Sequence, residues 1–165
     1  MKALIVGEFS GVAKAMQLGL RKNNFDIDVI QTKDGYKGIG NGNALSLASD
    51  FFSLGNKKYD LAIFLTPFIA WNNYLSDIFN EKILRISDRS VYCPCTSDSF
   101  YWEHLKSSTD YSRLTQLGQI KDNNGNKHRY SKKEYLKVNL SLSKNVDYIM
   151  PLNTECLDIY LKSKK

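Results

Sequence analysis

The chain has few cysteines, prolines and histidines, and each scarcity excludes a class of protein. Three cysteines cannot all pair within one chain, so we expect reduced thiols rather than a disulfide scaffold. Three prolines among 165 residues, with 42% hydrophobic residues, argue against extended disorder. His104 and His128 fit no catalytic-triad or zinc-protease pattern, and Cys93 and Cys95 have no further cluster beside them. No metal site is therefore predicted.

Long apolar runs are also absent. None reaches the roughly 20 residues that a membrane-spanning helix needs. The N-terminal apolar run, residues 3–6, is followed at once by Glu8, so it is too short and too acidic for a secretory signal. A chain of this length fits one buried core and not two. We therefore expect one cytoplasmic domain that spans residues 1–165.

The net charge of +6 is concentrated in a few places. Six basic residues lie between Lys121 and Lys137, and three more lie in the C-terminal tail. They form either a solvated basic face or a surface attracted to anionic lipid, which would add peripheral contact with the inner membrane surface. Aromatic and basic residues are not interleaved as in RNA-binding signatures, so no nucleic-acid partner is expected.

Short continuous apolar runs alternate along the chain with segments of helical spacing. Such runs are typical of strands buried on both faces of a parallel sheet, and the segments between them are long enough for right-handed crossovers. They predict strands at residues 2–6, 27–30, 59–65, 91–93 and 146–150, and helices within 12–23, 45–55, 71–83, 131–142 and 153–161. The sequence thus predicts an α/β fold, a Rossmann-like parallel sheet flanked by helices on both faces, in a single domain.

The first predicted strand runs into a turn that contains Gly7, Phe9, Ser10 and Gly11. A glycine turn from strand to helix leaves N–H groups at the positive end of the helix dipole, where an anion is stabilised. The spacing is neither the dinucleotide fingerprint nor a P-loop. Two interpretations stand: a phosphate-binding turn that uses these four residues, or a purely structural turn. Ser10 is the expected helix cap.

Two further loops leave the carboxyl ends of predicted strands, where parallel α/β sheets bind ligands. The glycine-rich loop after the second strand contains Asp34 and Tyr36, and the loop after the fourth strand contains Asp98 and Trp102. An aromatic ring beside a carboxylate suits a sugar, because the ring stacks on the sugar face while the carboxylate accepts from its hydroxyls. Aromatic residues that fill core gaps under a loop are the other interpretation. We expect the three loops to line one cleft.

The opening segment MKALIVGEFSGVAKAMQLGLRKNNFDIDVIQTKDGYKGI resembles the N-terminal half of bacterial GT-B glycosyltransferases of the family 4 type. In that half a strand, a glycine turn and a helix lead to a second strand, whose loop reads Asp-Gly-Phe or Asp-Gly-Tyr; here it is Asp34-Gly35-Tyr36. The segments YDLAIFLTPF, VYCPCTSDSFYW and VDYIMPLNTEC continue the likeness over nearly the whole chain.

Enzymes of this family have two Rossmann-like domains that face each other across a cleft, with the acceptor mainly on the first and the nucleotide sugar mainly on the second. The resemblance implies an acceptor-side domain that acts in cell-surface polysaccharide or glycolipid synthesis. Its substrates would be a nucleotide sugar and a glycan or lipid-linked acceptor, without a cofactor. It also implies that the C-terminal, donor-binding domain is missing from residues 1–165 and that the isolated chain is inactive.

The resemblance assigns roles to few residues. In the family the first glycine turn approaches the donor diphosphate when the cleft closes, which would give Gly11 a function. A retaining mechanism needs no protein base, so no catalytic residue is predicted, and Asp98 is the carboxylate to test first. The alternative from another class is a non-catalytic α/β module that binds a nucleotide or a protein.

Overall fold

The computed structural model describes residues 1–7, 11–30, 49, 51–55, 57–69, 73–94, 133–152 and 157. Within these ranges strands and helices alternate. The strands are β1 (Lys2–Val6), β2 (Asp26–Ile30), β3 (Leu61–Phe64), β4 (Ser90–Tyr92) and β5 (Tyr148–Ile149), and the helices are α1 (Val12–Lys22), α2 (Asn73–Arg85) and α3 (Lys133–Asn145). All five predicted strands are confirmed, as are these three helices. Residues 51–53 have helical backbone, and most of the predicted helices at 45–55 and 153–161 lies outside the described residues.

The five strands form one parallel sheet in the order β2-β1-β3-β4-β5. The chain first moves from β1 to its neighbour β2 and then crosses back to β3 on the other side of β1. This is one of the two common doubly wound orders, and it places a topological switch point between β1 and β3. The predicted α/β fold with a parallel sheet is therefore confirmed.

Helices cover both faces of the sheet, as predicted. Alternate residues of β1 point to opposite faces, so Ala3 and Ile5 belong to one core cluster and Leu4 and Val6 to the other. On the Ala3 face, Val12, Ala13, Met16 and Leu20 of α1 pack against the sheet. On the Leu4 face, the core contains Phe79 and Ile83 of α2 and Leu142 of α3, and the two helices also pack against each other.

Two carboxylates fix the amino ends of the strands. Asp60, just before β3, accepts a hydrogen bond of 2.6 Å from the backbone N–H of Lys2 at the start of β1. Asp147, just before β5, accepts bonds from the backbone N–H and the hydroxyl of Ser90 at the start of β4, at 2.7 and 2.8 Å. Each carboxylate thereby aligns its strand with a neighbour, and the opposite, carboxyl edge is left to the loops.

The buried face of α2 differs from the one that the apolar spacing indicates. The helical spacing of the apolar residues predicts Tyr74 and Ile78 on the buried face, yet Tyr74 is 73% exposed and Ile78 is exposed as well. Two polar residues, Ser76 and Asn80, are buried instead beside Phe79. The amide group of Asn80 donates to the carbonyl of Pro67 at 2.9 Å, so a tertiary hydrogen bond helps to hold a polar side chain on the core face.

Helix α1 begins within the predicted range, but a different residue caps it. Its N-cap is Gly11 and not Ser10, and Gly11 has left-handed backbone with φ +87°. The C-terminus agrees with the prediction: Asn23 is the C-cap and Asn24 has φ +62°.

Among the described residues, no helix combines the length and the hydropathy needed to cross a bilayer.

Candidate functional site at the carboxyl edge of the sheet

The switch point brings the ends of β1 and β3 side by side at the carboxyl edge. The backbone N–H of Gly7 donates to the carbonyl of Ile30 at 2.8 Å, and that of Leu65 donates to the carbonyl of Val6 at 2.8 Å. The end of β1 is thus hydrogen-bonded to both neighbouring strands. From here α1 departs on one face and the crossover to α2 on the other, and the opening between such crossovers is where doubly wound sheets bind ligands.

Gly7 is required by close packing at this point. Its φ is +90°, and a Cβ atom added to it would lie 2.5 Å from the Cγ2 atom of Thr66, the residue that follows Leu65. Thr66 is fixed in turn, because its hydroxyl oxygen accepts the backbone N–H of Phe68 at 3.1 Å. The first glycine of the opening turn therefore has a structural role, which is one of the two interpretations that the sequence left open.

Gly11 is a different kind of glycine. It also has left-handed backbone, but a Cβ atom added to it would meet no described atom within 4 Å. Its carbonyl accepts the backbone N–H of Ala15 at 3.0 Å, which starts the hydrogen-bond ladder of α1. The left-handed backbone explains the glycine, and no described atom stands in the way of a ligand that approaches the turn.

The start of α1 is suited to a negative charge. The first N–H groups of a helix have no partner within the helix, and they carry the positive end of its dipole. The first turn of α1 contains no acidic side chain, whereas Arg21 and Lys22 lie in the last turn, where they complement the negative end. An anion at the N-terminus therefore meets no opposing carboxylate on the helix itself.

The loop after β3 forms the other side of the switch point, and three contacts hold it. Thr66 packs against Gly7, the carbonyl of Pro67 accepts from Asn80 of α2, and the ring of Phe68 lies 5.1 Å from that of Tyr135 on α3. The loop is thus bound to the sheet and to both helices of the Leu4 face. A rigid support of this kind keeps a binding site in one geometry.

The titratable groups with shifted pKa values belong to the scaffold. Burial raises the pKa of Cys93 to about 12, so its thiol stays protonated and is no nucleophile at neutral pH. Asp28 in β2 accepts hydrogen bonds from Tyr59 and Lys57 at 2.6 and 3.0 Å. Burial alone would raise the pKa of Asp28, but these bonds and the charges of Lys57 and Lys2 lower it. Asp28 is therefore part of an ionised support for β2.

The structure describes two of the residues that the sequence assigns to substrate binding. Gly7 and Gly11 both lie at the switch point, as expected. The others, Phe9, Ser10, Asp34, Tyr36, Asp98 and Trp102, lie outside the described residues. The strands that precede their loops are β1, β2 and β4, which all end at the same edge. The shared cleft stays a prediction, as does the role of Asp98.

Sequence reasoning missed Thr66 and Asn80, which shape this edge. A polar residue and a proline directly after a buried strand, Thr66-Pro67, are the signal that could have indicated an ordered turn. Asn80 carries no such signal, because its partner lies 13 positions away in the sequence.

Within the described ranges, no three His, Cys, Asp or Glu side chains come together as a metal-binding group.

Comparisons with models of protein families, with curated proteins and with solved structures find no match for this chain. Because no relative assigns a family, the class of protein follows from the structure itself, namely from the strand order and the glycine turn at the switch point. It is a doubly wound α/β protein whose candidate ligand site lies where β1 meets α1.

Proposed function

We propose that this chain is the acceptor-side domain of a glycosyltransferase that moves a sugar from a nucleotide-sugar donor to a glycan or lipid-linked acceptor. The observation that carries the proposal is the turn from β1 into α1 at the topological switch point, where Gly11 has left-handed backbone and no described atom would contact an added Cβ. The likeness of the opening segment, the Asp34-Gly35-Tyr36 loop and the later strands to family 4 enzymes supports the choice of reaction.

The donor diphosphate would bind at the first turn of α1. Backbone N–H groups and the helix dipole stabilise the phosphate charge without a metal ion, and a glycine at position 11 lets the phosphate approach the backbone. A second Rossmann-like domain would bind the nucleoside and close over the turn. In such a cleft, transfer depends mainly on holding donor and acceptor in one reactive geometry. No protein base is needed if the sugar is transferred with retention.

The place of the reaction follows from its acceptor. A lipid-linked acceptor lies at a membrane surface, and nucleotide sugars are cytoplasmic substrates, so we place the domain in the cytoplasm with peripheral contact to the inner membrane surface. The basic stretch from Lys121 to Lys137 supplies the charge for that contact. Surface-polysaccharide or glycolipid assembly is a process that uses both a cytoplasmic nucleotide sugar and an acceptor at the membrane.

The test compares a substitution at the N-cap of α1 with one inside the helix. Gly11→Asn adds a side chain at the turn, and asparagine tolerates left-handed backbone better than most residues, so the fold is kept. Gly19→Asn is the matched control, because Gly19 also has open space around it but lies two helical turns away. Gly11→Val is unsuitable, because a β-branched residue is strained at a φ of +87°.

Calorimetry with UDP- and GDP-sugars and a transfer assay with the chain joined to its second domain give the measurements. We expect weak donor binding by residues 1–165, and transfer only when both domains are present. In the two-domain form, Gly11→Asn should lower turnover about tenfold, which corresponds to roughly 1.4 kcal/mol in the transition state, while Gly19→Asn should not. Tight donor binding without any transfer would favour the non-catalytic nucleotide-binding module. Robust transfer by residues 1–165 alone would refute the need for a second domain.

A further inference from the structure

Two exposed apolar side chains lie next to each other on helix α2. Tyr74 is 73% exposed and Ile78 is 36% exposed. They are four positions apart, a spacing that places two side chains on the same face of a helix. The core is contacted by the opposite face of α2, which contains Phe79 and Ile83. Tyr74 and Ile78, here called the apolar pair, therefore present apolar surface to the solvent.

The apolar pair lies at the carboxyl edge of the sheet. Helices α2 and α3 lead into the amino ends of β4 and β5, so both helices begin at the carboxyl edge. Tyr74 lies in the first turn of α2 and Ile78 in the second. Phe68, in the loop after β3, contacts Tyr135 in the first turn of α3, which agrees with this arrangement. The apolar pair is thus at the same edge of the domain as the turn at Gly11.

Exposed lysines accompany the apolar pair on the neighbouring helix. Helices α2 and α3 pack against each other, and the axes of packed helices lie about 8–10 Å apart. Lys133 and Lys137 are exposed one turn apart at the start of α3, whose one acidic residue is Glu134. Asp77 of α2 is partly buried, with one carboxylate oxygen shielded from solvent. Residues 121–132, which precede α3, add four more lysines and arginines. Basic residues therefore outnumber acidic ones around the apolar pair.

We propose that Tyr74, Ile78, Lys133 and Lys137 form a docking surface for an anionic membrane. The lysines contact the headgroups, and the apolar pair enters the boundary between headgroups and acyl chains, where tyrosine is enriched in membrane proteins. Attraction between lysines and anionic lipid brings the domain to the surface, and burial of the apolar pair strengthens the contact. The inference rests on the proposed function, because it gives the membrane contact of that domain a defined surface.

The docking surface also defines how the domain is oriented. When it rests on lipid, the carboxyl edge with Gly11 lies near the membrane, where a lipid-linked acceptor is located. Two other exposed apolar residues, Phe52 and Leu18, lie nearer the amino edge. The carbonyl of Phe51, next to Phe52, accepts a hydrogen bond from Lys82 in the last turn of α2. Leu18 lies in the second half of α1, which runs towards the amino end of β2. Neither residue would bring the candidate site to the lipid.

The first experiment is sedimentation of the 165-residue chain with vesicles of equal parts phosphatidylglycerol and phosphatidylcholine at low salt. Tyr74→Ser with Ile78→Ser removes the apolar pair without a change of charge. Phe52→Ser with Leu18→Ser is the matched control, because it also removes one exposed aromatic and one exposed aliphatic side chain. Circular dichroism establishes that both variants are folded.

The second experiment detects insertion directly and does not require removal of the apolar pair. Tyr74→Trp and Leu18→Trp each add one tryptophan to the two that the chain already contains, so their background fluorescence is the same. Vesicles with brominated acyl chains quench a tryptophan that reaches the acyl boundary. Quenching by these vesicles is compared between the two variants and the original chain.

We expect Tyr74→Ser with Ile78→Ser to weaken vesicle binding about tenfold, because the membrane boundary then buries less apolar area. Phe52→Ser with Leu18→Ser should retain the binding. Brominated lipid should quench Tyr74→Trp more than the original chain, and Leu18→Trp no more than the original chain. Equal losses in the two serine variants, or equal quenching of the two tryptophan variants, would overturn the docking surface. Self-association of the chain that is lost with the apolar pair would overturn it too, since a second copy would then cover the pair.

A transfer assay with a lipid-linked acceptor in vesicles separates this result from the proposed function. If the two-domain form transfers sugar equally well with Tyr74→Ser and Ile78→Ser, the docking surface is wrong while the transferase stands. If the 165-residue chain docks with the expected order of variants but the two-domain form transfers no sugar, the docking surface stands and the transferase is wrong.

Discussion

At the scale of single residues, the opening turn needs glycine at positions 7 and 11 for different reasons. Both have left-handed backbone, but a Cβ atom added to Gly7 would clash with the methyl group of Thr66, whereas one added to Gly11 would meet no described atom. A side chain at Gly7 is therefore disfavoured both by the backbone conformation and by the clash with Thr66. At Gly11 only the backbone conformation disfavours a side chain. The question raised by the sequence, whether these glycines turn the chain or hold a phosphate, has a different answer at each position.

The first prediction follows from this difference. Gly7→Ala should lower the free energy of unfolding by about 2 kcal/mol or more, since a left-handed alanine costs roughly 1–2 kcal/mol and the new methyl group also displaces Thr66. Gly11→Ala has the same backbone strain without the clash, so it should cost only about 1 kcal/mol. Urea denaturation of both variants measures the difference.

A double-mutant cycle isolates the clash. Thr66→Ser removes the methyl group that faces Gly7 but keeps the hydroxyl that accepts from Phe68. In this background Gly7→Ala should cost about 1 kcal/mol less than in the original chain, and Gly11→Ala should cost the same as before. If the serine background does not reduce the cost of Gly7→Ala, the packing of Gly7 against Thr66 is not what requires a glycine at this position.

At the scale of elements, the carboxylate bonds at the amino edge set the alignment of short strands. β5 has only two residues in register with β4, so backbone pairing alone holds it weakly. The carboxylate of Asp147 accepts two hydrogen bonds from Ser90, and the backbone N–H of Asp147 donates one in return to the hydroxyl oxygen of Ser90 at 3.1 Å. This reciprocal pair fixes the start of both strands.

The second prediction concerns acid stability. Hydrogen bonds from the hydroxyl and the backbone N–H of Ser90, and the charge of Arg89, lower the pKa of Asp147 in the folded chain. The stabilisation is therefore present above the unfolded pKa, near 3.8, and is lost as the pH falls through the lower folded value. Asp147→Asn should be less stable at neutral pH and should lose less stability than the original chain between about pH 4 and pH 2.

The control for this measurement is Asp88→Asn, a change of the same charge at an exposed residue in the turn before β4. It should leave both the neutral stability and the slope below about pH 4 close to those of the original chain. Thermal unfolding followed by circular dichroism over a pH series gives the data. An acid slope that Asp147→Asn does not reduce would show that other carboxylates dominate.

Some features of the strands and helices are predictable from the sequence, and others are not. Strands were predictable because buried parallel strands are continuous apolar runs, as in residues 3–6. The orientation of α2 was not, because spacing identifies Tyr74 and Ile78 as apolar but cannot show that Asn80 has a partner in Pro67. The glycine turn was predictable from local rules, whereas Thr66 reaches the site only through the pairing of β1 with β3. Contacts between distant residues are the part that local patterns do not contain.

At the scale of the whole molecule, the sheet order places the loops relative to each other. β2 and β4 lie on either side of the β1–β3 pair, three strand spacings apart, so the loops that follow them begin roughly 14 Å from each other across the switch point. The loops that contain Asp34 and Asp98 thus start at the two sides of the proposed cleft.

Exposed lysines lie on both faces of the sheet, which allows a matched test of the last prediction. Lys133 and Lys137 are exposed one turn apart on α3, at the end of the basic stretch, whereas Lys14 and Lys22 are exposed on α1 across the sheet. If the basic stretch faces a membrane, the charge of α3 should matter and an equal charge on α1 should not. Each lysine near an anionic surface contributes about 1 kcal/mol.

Sedimentation with phosphatidylglycerol-rich vesicles, and with neutral phosphatidylcholine vesicles for comparison, measures this contact. The chain should bind the anionic vesicles at low salt and lose most of the binding at physiological salt, where charges are screened beyond about 8 Å. Lys133→Glu with Lys137→Glu should weaken binding more than tenfold, because two attractive charges become repulsive. Lys14→Glu with Lys22→Glu lowers the net charge equally and should retain the binding. Equal losses in the two variants would mean that net charge, and not the α3 face, attracts the lipid, and binding that ignores salt would rule out the electrostatic contact itself.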